Sequence, residues 1–400
     1  MTPDRATDPI DAELLALAHA ISDPDHPVKR AMARWAADNL AQHDRVAADL
    51  DSTFAVADWS RCADEGVYGL TVPAALGGQG ADLATVLLSL EGLGMGCRDN
   101  GLTYAIASQL FSTQEALVKF GSADQQQRWL SPLIDGSCLA SFALTEPEIG
   151  SDAYHLSTSA ERRADGAFVI NGHKAYITFG SRCDMVIVFA STNPAAGQWG
   201  LSAFIVPTDL PGVERLPNRD KMGMRTTPFA DISFTDVVVP ESAVLGREGA
   251  GASIFNAVVQ VERAFVFATQ IGAMERQLDE SVDYARSRVQ GGQPIGAHQA
   301  VAHRLVDMKQ QHETARLFLY RAAMAKVRGT EFPMAAALAK LVGSETGVST
   351  ALSAAMIHGA RGYVSEFEVE RNLRDALGGL VYSGTSDIQR NIISRLLGVG

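Results

Sequence analysis

Apolar residues recur at three- and four-residue spacing from Asp11 onward: Leu14, Leu15, Leu17 and Ala18, then Val28, Met32, Trp35 and Ala36. That is the spacing of amphipathic helices, and the helical pattern runs from Asp11 to about Gly136. It is broken by Val72-Pro73-Ala74-Ala75-Leu76-Gly77-Gly78-Gln79-Gly80, whose glycines suit a turn between helices or a close backbone approach. From Ser141 to about Leu245 the runs become short and rich in β-formers. Phe168-Val169-Ile170 and Lys174-Ala175-Tyr176-Ile177-Thr178 flank Asn171-Gly172, a pair that tolerates positive φ and predicts a type I′ hairpin. Met185-Val186-Ile187-Val188-Phe189, Leu201-Ser202-Ala203-Phe204-Ile205-Val206 and Ile232-Ser233-Phe234 predict further strands of a compact β domain. From Ala250 to Gly400 the helical pattern returns, with turns at residues 290–294 and 358–362, and long helices joined this way favour an antiparallel four-helix arrangement. Residues 1–140, 141–247 and 248–400 therefore read as a helical domain, a β domain and a helical bundle.

Composition narrows the function classes. At 400 residues the chain suits two or three domains or subdomains, and 46% hydrophobic with 20% charged residues describes an ordinary globular protein. A net charge of -12 disfavours nonspecific binding to nucleic acid. Cys62, Cys97, Cys138 and Cys183 form no CxxC, and the histidines form no HxxxH or HExxH, so neither a disulfide framework nor a metal centre is expected. No stretch reaches the ~18 apolar residues of a membrane span, and Met1–Pro9 holds no signal-like apolar run. A cytoplasmic location is the resulting expectation. An α, β, α order without GxGxxG after a strand argues against a nicotinamide-binding Rossmann unit.

Thr145-Glu146-Pro147 and Gly150-Ser151-Asp152 supply small hydroxyls and backbone N–H groups, which read either as a plain loop or as a cradle for a polar ring edge or oxyanion. Tyr176 and Thr178 lie two apart on one predicted strand and are either ordinary strand residues or a hydroxyl and an aromatic wall. Glu262 lies in Gln260-Val261-Glu262-Arg263-Ala264-Phe265, beside the apolar stripe Ala257, Val258, Val261 and Phe265. It reads as a solvated helix residue or as a partly desolvated carboxylate whose pKa rises towards the range of a base.

Thr145–Asp152 and Tyr382-Ser383-Gly384-Thr385-Ser386-Asp387-Ile388-Gln389-Arg390 together resemble the flavin site of the acyl-CoA dehydrogenase family. The resemblance continues in order through Leu70–Pro73, Gln127–Leu130, Asn171–Lys174, Lys221–Gly223 with Arg225, Val239-Pro240, Glu262-Arg263, His298–Ala300 and Arg374–Ala376. It implies an α+β fold: an N-terminal helical domain, a central β domain and a C-terminal four-helix bundle. It also implies FAD, held by Phe142, Leu144, Thr145, Gly150 and Ser151, flanked by Tyr176 and Thr178, with Thr385 and Asp387 closing the site. The adenine and pyrophosphate half falls on Arg288, Gln299, Gly359 and Ala360 of a neighbouring subunit, which implies a homo-oligomer, a dimer or a dimer of dimers. Ser151, Arg263, Ser383 and Gly384 fall on the substrate side.

In the resembled family a carboxylate removes the α-proton of an acyl thioester while the β-hydrogen leaves as hydride to the flavin. Many members carry that carboxylate as a glutamate where this chain has Ser383. Glu262 stands where a minority, similar to isovaleryl-CoA and long-chain acyl-CoA dehydrogenases, keeps its base. The resemblance thus implies α,β-dehydrogenation of an acyl-CoA or acyl-carrier-protein thioester with Glu262 as base, and an electron-transfer flavoprotein as acceptor. A flavin monooxygenase or oxidase on the same scaffold, or a non-catalytic member, are the other readings. Gly291, Met356, Asp387 and Arg361 depart from the family pattern around the cofactor.

Overall fold

The computed structural model describes residues 8–399, so the expectation placed on Met1–Pro9 falls, up to Thr7, outside the described residues. The chain is of mixed α+β class, with helices first, a sheet in the middle and helices last. It forms two compact units: Met1–Val46 with Ala81–Tyr104 and Arg263–Gly400, and Ala47–Gly80 with Ala105–Glu262.

The second unit carries the sheet. Its strands are β1 (Ala140–Ala143), β2 (Ser159–Arg162), β3 (Phe168–Thr178), β4 (Met185–Ser191), β5 (Leu201–Pro207), β6 (Val213–Arg215) and β7 (Phe229–Val239), in the order β1-β4-β2-β3-β7-β6 with β5 also paired to β4. All residues of β4 are buried, as its unbroken apolar run requires. Met185, Ile187 and Phe189 pack with Leu117, Leu130 and Leu133 from the preceding helices and Ile254 and Val258 from helix Gly251–Phe265. Helix Ala123–Ile134 opens on a capping box: the Ser122 hydroxyl accepts from the Gln125 N–H at 3.2 Å, and the Ser122 N–H donates to Gln125 Oε1 at 3.0 Å.

The expected hairpin at Asn171-Gly172 is not a turn. Both residues lie inside β3, which runs unbroken along β7 with a bulge between Ile170 and Gly172. Pairing along the length of β7 outweighs the local turn preference, and Asn171 serves the ladder by exchanging hydrogen bonds with the Asp236 side chain and N–H at 3.1 and 2.8 Å. Gly172 is required by close approach, since a Cβ there would lie 2.4 Å from Thr158 Oγ1.

The first unit is helical. Helices Ala268–Ser287, Gln299–Arg328 and Phe332–His358 pack on one another, and Val369–Gly378 and Ser386–Leu396 pack on the last of them. The hairpin of β8 (Val289–Gln290) and β9 (Gln293–Pro294) makes the predicted turn near residue 290. Helix Leu83–Gly96 packs on Ala268–Ser287 so closely that a Cβ on Gly94 would sit 1.8 Å from the Thr269 carbonyl. Two buried cations here are paired: Arg316 with Glu91 at 2.8 Å and Lys29 with Glu275 at 2.7 Å.

Candidate active site

In the sheet unit, the end of β1 and the loop after it run beside the end of β3. The Ser141 hydroxyl donates to the Thr178 carbonyl at 2.7 Å, and the Ala175 N–H donates to the Thr145 carbonyl at 2.9 Å. Phe142, Leu144, Thr145, Tyr176 and Thr178 are thereby gathered, with Phe142 packed on Phe189 at 4.9 Å between ring centroids. Gly150 and Ser151 follow on the exposed part of the same loop.

A buried ion pair fixes that loop. Lys174 Nζ donates to the Leu144 carbonyl and to Glu146 Oε1, both at 2.9 Å, and both side chains are essentially inaccessible, at 0% and 1%. Glu146 also accepts from the Ser157 N–H at 2.7 Å, the Ser157 hydroxyl at 2.5 Å and the Thr158 N–H at 2.9 Å. Burial pushes the Glu146 carboxyl up, but the Lys174 charge and the donors at Ser157 and Thr158 outweigh it and hold the group at about 2. Burial likewise brings Lys174 down to about 8 against the pull of Glu146. The pair is therefore ionised together at neutral pH.

Tyr176 is the strained member. Its φ is 61°, a left-handed value that for an aromatic residue costs on the order of 1–3 kcal/mol. Its N–H donates to Asp231 Oδ1 at 3.2 Å, and Asp231 takes both Nε and Nη2 of Arg219, at 2.7 and 2.6 Å. The Arg219 hydrogen bonds hold the Asp231 carboxyl well below the usual carboxylate range, more than offsetting burial. Neither Asp231 nor Arg219 stands out in the sequence, because Tyr176, which they serve, lies 55 residues from Asp231 and the two are themselves 12 apart.

In the helical unit, Ser383 and Gly384 form a turn with φ of 54° and 87° ahead of helix Ser386–Leu396, which Thr385 caps by accepting from the Ile388 N–H at 3.2 Å. The buried Gln389 donates to the Gly384 carbonyl at 2.8 Å and the Ser383 carbonyl at 3.3 Å, and Arg263 Nε donates to the latter at 3.5 Å. Tyr382 stacks on Phe267 at 5.2 Å. Asp387 is exposed in the first turn of that helix.

Arg288, Gln299, Gly359 and Ala360 are exposed elsewhere on the helical unit. Arg288 caps helix Ala268–Ser287, and its carbonyl accepts the Ile295 N–H at 2.8 Å, just ahead of Gln299. Tyr284 stacks on His358 at 4.4 Å, which brings Gly359 and Ala360 to the same end. Glu262 is partly exposed on helix Gly251–Phe265, between the buried Val261 and Arg263. Among the described residues, no group of three or more His, Cys, Asp or Glu side chains is placed to hold a metal, and no helix is long and apolar enough to cross a membrane.

Three consecutive family matches span this architecture: acyl-CoA dehydrogenase N-terminal domain at residues 23–137, middle domain at 141–237 and C-terminal domain at 249–398. The chain belongs to the acyl-CoA dehydrogenase family. It is 38% identical over 344 residues to an L-prolyl-[peptidyl-carrier protein] dehydrogenase of Pseudomonas fluorescens, covering 86% of this chain and 90% of the relative. The human mitochondrial short-chain specific acyl-CoA dehydrogenase is 36% identical over 346 residues, 86% and 83% of the two chains. The solved structure described as PigA with FAD and proline superposes with a TM-score of 0.89 at 32% identity, covering 94% of this chain and 98% of that one.

Acyl-CoA dehydrogenases are FAD-dependent oxidoreductases acting on CH–CH groups, and FAD is the cofactor of this chain. The residues present fit it. Among the described residues the hydroxyls of Thr145, Ser151 and Thr178 make no hydrogen bond, so all three are available to a ligand, and Tyr176, two residues before Thr178 on β3, offers a half-exposed ring (49%). Thr178→Val keeps the β-branched shape β3 favours and removes only that hydroxyl, so stability should change by less than about 0.5 kcal/mol. The flavin absorption spectrum or reduction potential should shift; a parent-like value of both would place Thr178 away from the ring.

Proposed function

We propose that this acyl-CoA dehydrogenase removes the α-proton of a small acyl thioester with Glu262 and passes the electrons, through FAD, to an electron-transfer flavoprotein. One observation carries the assignment of the base: the turn at Ser383-Gly384 holds a serine where many family members carry a carboxylate, while Glu262 is a partly buried carboxylate beside an apolar helix face. Bound FAD supplies the acceptor for the β-hydrogen. The Ser383 N–H does not depend on the side chain, and in this reading it donates to the thioester carbonyl as enolate-like charge develops there. Arg263 and Gln389 hold the Ser383 carbonyl, which lies in the peptide after the one that carries this N–H, and so brace the turn around it.

The proposed substrate is a thioester on a phosphopantetheine arm. The relatives named above, one for a prolyl carrier-protein thioester and one for short-chain acyl-CoA, support a small acyl group. Arg288, Gln299, Gly359 and Ala360 are proposed to take the adenine and pyrophosphate of a second copy's FAD, Arg288 as the cation and Gln299 at the N-terminus of a 30-residue helix. Exposed apolar side chains on the same unit, including Val306, Leu317, Leu352, Met356 and Tyr363, support a homo-oligomer.

Anaerobic mixing of the FAD-loaded protein with butyryl-CoA and with a prolyl carrier-protein thioester tests the function. Flavin bleaching by at least one thioester is expected. Bleaching by NAD(P)H alone would move the chain to oxygenase chemistry, and a purified chain that never retains FAD would overturn the proposal.

A further inference from the structure

Tyr176 combines three properties that do not come together by chance in a strand: an aromatic side chain, a left-handed backbone and half of its surface exposed. Such a conformation persists only where the surroundings over-determine it. Asp231, 4% exposed, accepts the Tyr176 N–H at 3.2 Å. Arg219 forks onto that same carboxylate and lays its guanidinium over the Tyr176 ring, 4.8 Å from the centroid. His173 Nε2 lies 3.1 Å from Asp231 Oδ2, and its Nδ1 lies 2.8 Å from the Ser233 hydroxyl, which closes the network from β3 to β7. One carboxylate thus grips the residue from both sides, through its backbone directly and through its ring by way of Arg219. Arg219 covers one face of the ring and the Phe229 ring lies 6.2 Å away, so a planar ligand would meet Tyr176 on the surface these two leave exposed.

We infer that Asp231 and Arg219 are positioning residues for FAD binding, holding Tyr176 in the orientation that borders the flavin ring. The inference rests on the placement of Tyr176 beside the flavin, and the experiment separates the two. Flavin fluorescence yield and the FAD dissociation constant are measured for FAD-reconstituted parent, Tyr176→Leu, Asp231→Ala, Asp231→Asn and the double variant Asp231→Ala/Tyr176→Leu.

Tyr176→Leu removes an aromatic quencher and raises the fluorescence. Asp231→Ala is expected to move the yield most of the way to that value and to weaken FAD binding about tenfold. Asp231→Asn keeps an acceptor for the Tyr176 N–H while losing the ion pair, so it should fall between Asp231→Ala and the parent. The double variant should match Tyr176→Leu alone, because the effect of Asp231 passes through Tyr176. Parent-like fluorescence and affinity in Asp231→Ala, with Tyr176→Leu altered, would overturn the positioning role. A silent Tyr176→Leu would overturn the placement of Tyr176 and the inference with it. If Asp231→Ala does not fold, Arg219→Lys gives the same test: it keeps a charge on an exposed side chain but loses the fork and the stacking, and an unchanged yield would overturn the inference.

Discussion

Glu262→Gln is expected to bind the thioester like the parent and to reduce its flavin slower by a factor of about 10² or more. The substitution preserves size and hydrogen-bonding reach in a half-buried position and removes only basicity, so helix Gly251–Phe265 should be undisturbed. Stopped-flow reduction under anaerobic conditions, with a thioester that bleaches the parent, separates binding from the proton-transfer step. Ser383→Glu in the same background provides a second reading. Ser383 already occupies a left-handed conformation, at φ 54°, so another unbranched side chain adds little backbone strain there. Partial recovery of the reduction rate is expected. A Glu262→Gln protein that reduces its flavin as fast as the parent would mean that the base lies elsewhere.

What the sequence reveals about the fold depends on how local the cause is. The apolar run Met185–Phe189 sits between turn residues, so β4 is visible without any partner, and the same holds for β5. Asn171-Gly172 misleads because its turn preference is local while its actual conformation is set by β7 pairing along both sides of it. The site shows the same division. Thr145, Thr178 and Ser383-Gly384 are marked as candidates by their resemblance to the family's motifs, since alone they read equally as loop and strand residues. The supports beneath them are not: Asp231 reaches Tyr176 across 55 residues of sequence and Lys174 reaches Glu146 across 28. Either lysine or carboxylate alone reads as a surface charge, and only folding shows that each is the other's condition for being buried.

That mutual dependence makes Lys174→Met the substitution with the largest expected effect on stability, a loss of about 3–5 kcal/mol near neutral pH. Methionine fills the volume of the lysine stem, so the loss comes from Glu146 left charged and buried and from the Leu144 carbonyl left without its donor. In the parent, Glu146 is held at about 2, below its ordinary 4.5, and contributes stability that is complete above 4.5 and lost as pH falls through about 2. Without Lys174 the burial that opposes this shift has fewer opponents, and the carboxyl moves up. A carboxyl raised in the folded state destabilises at high pH and is relieved as protons bind, so the deficit relative to the parent should be greatest near pH 8 and shrink towards pH 5. A simple packing defect would be independent of pH. Denaturant unfolding of parent and variant at the two pH values distinguishes these causes, and Lys174→Met/Glu146→Gln should recover part of the loss because no buried charge remains. An equal deficit at both pH values would show that the unpaired carboxylate is not its source.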